Sequence, residues 1–239
     1  LTGSSKSRNA IYNKNEVVLC KLVDGKKEED WTEWYDNGKM YTSVTYSEGK
    51  RIGGTFKSWY ENGDKWMETV WDDSKKKEKW IHYHIDGWID NEHFVDNNSN
   101  KDGLSIIYDK YGNKKEEEIY DMGIKIKSTF FHSGTDFKRL EFIYENDKVE
   151  DSRSWYKSGN LKSTCEYSLG RVHGKWKEYY ETGELFMVNN WKYDTMDGMS
   201  YCYDKNGKIL RKYLVENDLI VKKYKWKKKL PYYVPEDYR

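Results

Sequence analysis

The sequence predicts an all-β protein: a single elongated, twisted antiparallel meander of about eight ~24-residue β-hairpin repeats, with a half-repeat at each end. Three observations predict it. An aromatic pair followed by a glycine recurs along the chain, apolar residues on either side recur at steps of two, and tight-turn dipeptides lie between them.

The pairs and their glycines are Trp34-Tyr35 with Gly38, Trp59-Tyr60 with Gly63, Tyr83-His84 with Gly87, and Ile107-Tyr108 with Gly112. They continue as Phe130-Phe131 with Gly134, Trp155-Tyr156 with Gly159, Tyr179-Tyr180 with Gly183, and Cys202-Tyr203 with Gly207. The second member advances by 25, 24, 24, 23, 25, 24 and 23 residues, a regularity beyond chance. Before each turn apolar residues alternate, as in Trp31/Tyr35, Phe56/Tyr60 and Trp176/Tyr180. After it come Met40, Val44 and Tyr46, matched by Leu161, Cys165 and Tyr167 and by Leu185, Met187 and Trp191. Period two means strands.

Asn37-Gly38, Asn62-Gly63, Asp86-Gly87 and Asn206-Gly207 then read as two-residue hairpin turns with positive φ at both central residues. Looser turns such as Ser47-Glu48-Gly49-Lys50, Glu145-Asn146-Asp147-Lys148 and Glu216-Asn217-Asp218 join one hairpin to the next. The expected organisation is a flexible segment over 1–15, one continuous repeat domain over 16–229, and an irregular tail over 230–239. Val17–Leu22 and Val221–Trp226 read as half-repeats.

Composition supports a folded but thin structure. Charged residues make up 35% of the chain and mean hydropathy is −1.08, yet there are 11 Trp, 22 Tyr and 7 Phe and only 2 Pro. Rings alternating with charges suit a half-buried pleated surface. Net charge is +1, so no global field favours nucleic acid. Cys20, Cys165 and Cys202 show neither disulfide-framework nor zinc spacing. No stretch approaches 18 apolar residues, so no transmembrane segment is expected. Leu1-Thr2-Gly3-Ser4 resembles a bacterial lipobox with Ser4 where the lipidated cysteine stands. That reading points to the cell envelope; cloning-derived residues and a cytoplasmic protein fit it equally.

Residues 170–185, Gly-Arg-Val-His173-Gly174-Lys-Trp176-Lys-Glu-Tyr179-Tyr180-Glu-Thr-Gly183-Glu-Leu185, are the clearest repeat. They resemble the bacterial variant of the MORN repeat found in YwqK-type, antitoxin-annotated proteins. The resemblance extends over roughly residues 29–221 and is degenerate around His84 and Phe131. It implies a hairpin-repeat sheet and a non-enzymatic role, and it brings no catalytic residue and no cofactor.

His82-x-His84 with His93 is the nearest approach to a metal constellation. In a hairpin turning at Asp86-Gly87, however, position 82 faces 91, 84 faces 89, and His93 stands only diagonally near His82. No metal site, catalytic carboxylate pair or phosphate loop is expected. Cys165 and Cys202 occupy packing positions.

Two features point to binding. Trp34, Trp59, Tyr83, Trp155 and Tyr179 precede the repeat tyrosine and face away from it. A one-layer sheet cannot bury both faces, so one aromatic row is expected to be partly exposed. The second row (Tyr35, Tyr60, Tyr108, Phe131, Tyr156, Tyr180, Tyr203) shares its face with Trp31, Phe56, Trp80, Leu104, Trp176 and Met199 and is expected to be interior. Lys222, Lys223, Lys225, Lys227, Lys228 and Lys229, interleaved with Tyr224 and Trp226, form a basic patch. It can contact an anionic surface or act as a charged sheet edge that discourages aggregation. The function expected is a protein-binding module, antitoxin- or immunity-like. The alternative is an envelope lipoprotein or adhesin-type binder of glycan, peptide or anionic lipid.

Overall fold

The computed structural model describes residues 11–13 and 16–224, with side chains from residue 21 onward. The lipobox-like start, the tail over 230–239 and Lys225, Lys227, Lys228 and Lys229 lie outside the described residues. No helix occurs among the described residues, and the paired strands run antiparallel as a hairpin meander.

The chain divides into two compact units, Leu1–Lys125 with Ser133–Asp136, and Ile126–His132 with Phe137–Arg239. In the first, Ile11–Asn13 pairs with Glu16–Val23, which pairs with Lys26–Trp34. The meander continues through Met40–Ser47, Lys57–Trp59, Lys65–Asp72, Lys77–Tyr83, Ile89–Val95, Lys101–Tyr108 and Lys114–Asp121. In the second, the strand Ile124–Phe131, from Ile126 on, pairs with Lys138–Glu145. Lys148–Trp155, Leu161–Ser168, Arg171–Tyr179, Leu185–Lys192, Gly198–Tyr203, Ile209–Glu216 and Leu219–Lys223 follow in order.

The turns reverse the expected assignment. At Tyr35–Lys39 the Gly38 N–H donates to the Tyr35 carbonyl (2.9 Å) and Tyr35 N–H donates to Lys39 O (2.8 Å), enclosing three residues. Only Gly38 has positive φ (+80°); Asn37 stays right-handed and its side-chain oxygen takes the Lys39 N–H (2.9 Å). This is a three-residue turn with the glycine forming a bulge, not a two-residue turn. The two-residue turns lie at the opposite ends of the strands, where looser joints were expected. Ser47 pairs with Lys50, and Glu48 and Gly49 both have positive φ (50° and 79°). Asn146-Asp147, Leu169-Gly170, Tyr193-Asp194 and Asn217-Asp218 repeat this pattern.

The glycine bulge is echoed in each returning strand. Glu33 pairs with Thr42 while Trp34 pairs with Met40, which leaves Tyr41 unmatched. Trp66, Lys162 and Phe186 are left unmatched in the same way.

The turns also correct the register of three repeats. Asp109, not Tyr108, closes its turn onto Asn113, and Asp204, not Tyr203, closes onto Lys208. His132 closes a longer loop onto Phe137 (2.9 Å). Tyr108, Phe131 and Tyr203 therefore occupy the strand position of Trp34, opposite Lys114, Lys138 and Ile209. Leu104 and Met199 move to that face with them; Ser105 and Ser200 take the places those residues were assigned.

The buried centre is small and largely polar. Val44, Met67, Phe94, Val95 and Ile106 in the first unit and Cys165 and Val215 in the second are the buried apolar residues among those described. Ser58, Thr69, Ser105, Ser128 and Ser152 are buried with them. Ring size is traded within a repeat: where Ser128 and Ser152 replace the tryptophan, Tyr144 and Tyr167 from the returning strands reach their hydroxyls (3.0 and 3.4 Å). With so little apolar volume enclosed, cross-strand pairs worth roughly 0.2–1 kcal/mol each carry much of the stability.

Candidate functional site

The two faces of each hairpin are separated by strand alternation. One face, here the tryptophan face, carries Trp34, Trp59, Tyr83 and Tyr108 in the first unit and Phe131, Trp155, Tyr179 and Tyr203 in the second, each as the last residue before the turn. Sequence reading named Trp34, Trp59, Tyr83, Trp155 and Tyr179; the register shift hid Tyr108, Phe131 and Tyr203. The three-residue step from turn-closing residue to glycine was the signal that would have found Tyr108 and Tyr203; Phe131 stands three residues before Gly134 and hides from it, because its loop, closed by His132 onto Phe137, is longer.

Trp34, Trp59, Tyr83, Trp155 and Tyr179 are all half-buried. Their surroundings differ. Tyr83 donates its hydroxyl to Glu68 (2.5 Å) and lies under the Lys65 ammonium (5.2 Å); Lys65 also pairs with Glu68 (2.9 Å). Burial, then the Glu68 carboxylate, pushes the Tyr83 hydroxyl up to about 12. Trp155 lies under Lys138 (5.3 Å), which pairs with buried Glu141 (2.9 Å). Burial alone would raise the Glu141 carboxyl; Lys127 and Lys138 outweigh it and hold the group below its usual range. These rings are already occupied by the chain's own cations. Trp34 and Trp59 are not covered by any ring or cation among the described residues. Met40, 36% exposed, stands opposite Trp34 and extends the apolar strip between them.

The opposite, tyrosine face ties successive repeats together. Tyr35 donates to the Trp59 carbonyl (2.7 Å), Tyr60 to Tyr83 O (2.9 Å), Tyr156 to Tyr179 O (2.8 Å) and Tyr180 to Tyr203 O (2.8 Å). His132 meets Trp155 O through Nε2 (3.2 Å). Where aspartate stands instead, it caps its own turn: Asp109 accepts from Tyr111 and Asn113 N–H, and Asp204 from Asn206 and Lys208 N–H.

His82 faces Asn91 as expected, and its ring stacks diagonally on His93 (5.5 Å). The turn-side bulge puts Tyr83, not His84, opposite Ile89; His84 bonds Trp88 instead. Burial, with Lys101 and His82 nearby, lowers the His93 imidazole to about 4. No group of three His, Cys, Asp or Glu residues suited to a metal ion occurs among the described residues. Burial pushes the Cys165 thiol up to about 11, the opposite of an activated nucleophile, and raises Cys202 as well. Lys222 and Lys223 lie on the exposed strand Leu219–Lys223, and the Tyr224 ring is shared by the ammonium groups of Lys222 (4.8 Å) and Lys212 (4.9 Å).

The described residues thus form a series of tight hairpin repeats whose strand faces present rings and charges. Two of its segments, 30–48 and 172–193, match the MORN repeat variant. Each spans one glycine turn with its tyrosine, Tyr35 and Tyr180 respectively. No curated protein matches the chain. MORN repeats are generally associated with protein or membrane-lipid binding and do not form an enzyme family.

Proposed function

We propose that the chain is a non-enzymatic protein-binding module that docks a partner on the tryptophan face, in an antitoxin- or immunity-like role. The observation that carries this reading is the strip Trp34–Met40–Trp59. It joins two tryptophans of that face, neither lying under a lysine of the chain as Tyr83 and Trp155 do, and aromatic anchors dominate binding energy at interfaces. The exposed Lys57 on the same face supplies a charged group of the kind found at an interface margin.

Affinity capture from the source organism tests the proposal, comparing the natural chain with Trp34→Ala/Trp59→Ala. The double variant should lose at least ~2 kcal/mol of partner affinity while keeping its thermal midpoint. Capture unchanged by the double variant would overturn the reading. A second reading, an envelope protein that grips an anionic lipid or glycan, is favoured by Lys222 and Lys223, which form no ion pair among the described residues. Vesicles containing anionic lipid that retain the natural chain but not Lys222→Glu/Lys223→Glu would establish that reading in place of the first.

A further inference from the structure

Several ring clusters on this molecule carry an ammonium group of their own. Lys27 lies over Trp31 and Tyr46 (3.7 and 4.7 Å), Lys65 over Tyr83 (5.2 Å), and Lys138 over Trp155 (5.3 Å). At the turn ends of the tyrosine face in the second unit, Lys162 lies over Tyr156 (5.7 Å) and Lys205 over Tyr180 (5.6 Å). Lys162 is the unmatched bulge residue of its hairpin.

Two turn ends of the first unit differ. Their bulge residues, Tyr41 and Trp66, are rings, as Phe186 is beside Tyr180 in the second unit, but there Lys205 completes the cluster. Tyr41 packs on Tyr35 (5.0 Å) and Trp66 on Tyr60 (6.3 Å). The hydroxyls of Tyr35 and Tyr60 are tied to the carbonyls of Trp59 and Tyr83, so these rings are held in place. The four residues follow on neighbouring strands, ~5 Å apart, and Trp66 is 38% exposed. No cation lies over any of the four among the described residues. The nearby ammonium of Lys39 is turned onto the Asn62 carbonyl (2.5 Å).

Negative charge is present instead. Asp90 occupies the next bulge position beyond Trp66, and Glu61 follows Tyr60 at the turn. Neither forms an ion pair among the described residues; Asp90 accepts only the Asn91 amide (3.2 Å). Burial, with Tyr41 and the Glu61 carboxylate, raises the Tyr35 hydroxyl, and burial with Asp90 raises that of Tyr60, which puts both carboxylates within electrostatic reach of the rings.

We propose that Tyr35, Tyr41, Tyr60 and Trp66, with Glu61 and Asp90, form a recognition site for an arginine or lysine side chain in a basic segment of a partner protein. The site supplies from ring faces and carboxylates what the second unit already satisfies with Lys162 and Lys205. It lies on the face opposite Trp34 and Trp59 and is independent of them.

The test uses the full chain and a fluorescently labelled eight-residue peptide of alternating arginine and glycine, followed by anisotropy, with a glutamate–glycine peptide as control. Tyr41→Lys installs at the bulge the cation that Lys162 provides in the second unit. It should weaken arginine-peptide binding at least 10-fold with the fold intact by circular dichroism. The charge-removing variant Glu61→Gln/Asp90→Asn should weaken binding at least 5-fold even if ring substitutions prove hard to fold. Trp34→Ala/Trp59→Ala should leave it unchanged. The proposal is overturned if the peptide fails to bind, if the glutamate peptide binds as well, or if binding survives both Tyr41→Lys and Glu61→Gln/Asp90→Asn. Loss of binding in Trp34→Ala/Trp59→Ala alone also overturns it.

Discussion

Two kinds of hairpin are built on the same glycine turn. Those closed by Tyr35, Tyr60, Tyr156 and Tyr180 extend a hydroxyl to a carbonyl one repeat further on. Those closed by Asp109 and Asp204 turn their hydrogen bonds inward, onto their own loop. The hairpin closed by His84 is intermediate, with its Nδ1 accepting the Asp86 N–H (3.2 Å) and its ring lying flat on Trp88 (4.7 Å). One residue thus decides whether a turn fastens its neighbour or only itself, while the backbone of the turn stays the same.

Acid should separate the kinds most strongly. The His84 hairpin relies on the stack of Trp80, His82 and His93 rather than on a tyrosine tie. An unfolded imidazole titrates near 6.5, whereas His93 titrates at about 4 in the fold. The unfolded chain therefore binds the proton first. The stabilisation is complete above about pH 6.5 and is lost as pH falls to about 4. Hydrogen exchange should show Lys77–Tyr83 and Ile89–Val95 opening across that window while Arg171–Tyr179 stays protected. His93→Phe should flatten the slope.

Next in size is the turn itself. Gly183 has φ +104°, so Gly183→Val should cost about 2 kcal/mol by forcing a β-branched residue into the left-handed region. The loss should spread to Gly198–Tyr203 through the Tyr180 tie. Gly207→Val should damage only its own hairpin. Equal spread in thermal melts and exchange would erase the distinction between tied and self-capped turns.

Removing single groups gives a smaller effect. Tyr180→Phe leaves the Tyr203 carbonyl without its hydroxyl partner, and Asp204→Ala leaves two N–H groups without their acceptor; each should cost ~1 kcal/mol. Exchange should then rise in the next repeat for the first variant and in the same loop for the second. The smallest effect is a gain. Leu169 is 65% exposed at φ 54°, so Leu169→Asn should stabilise by about 1 kcal/mol, because asparagine tolerates that conformation. Its melting midpoint should rise without any change at Tyr156 or Tyr180.

The number and direction of the hairpins were legible because glycine at a fixed step and period-two alternation are direct consequences of backbone geometry. The register was less so. An aromatic pair does not distinguish the last residue of a strand from the first of a turn, and so Tyr108, Phe131 and Tyr203 were assigned to the wrong row. Turn type was hidden for a similar reason: Asn37-Gly38 suits both a two-residue and a three-residue loop, and the choice depends on the bulge that frees Tyr41. The ring pairs Tyr35–Tyr41 and Tyr60–Trp66 were invisible because strict alternation reads straight through a bulge. The tryptophan row could be named from sequence, but not which of its members a lysine covers, since that depends on cross-strand neighbours such as Lys65 and Lys138.

The hydroxyl ties have a mechanical consequence. Under tension applied to the chain ends, Tyr35, Tyr60, Tyr156 and Tyr180 each hold a carbonyl of the following repeat, so load passes to that repeat through a fastening distinct from the strand ladder. A freed repeat of about 24 residues releases some 80 Å of contour length. Extension would then proceed in steps of roughly that size, with hairpins closed by aspartate yielding before those closed by tyrosine. The residue that closes each turn would thereby set the order in which the protein comes apart.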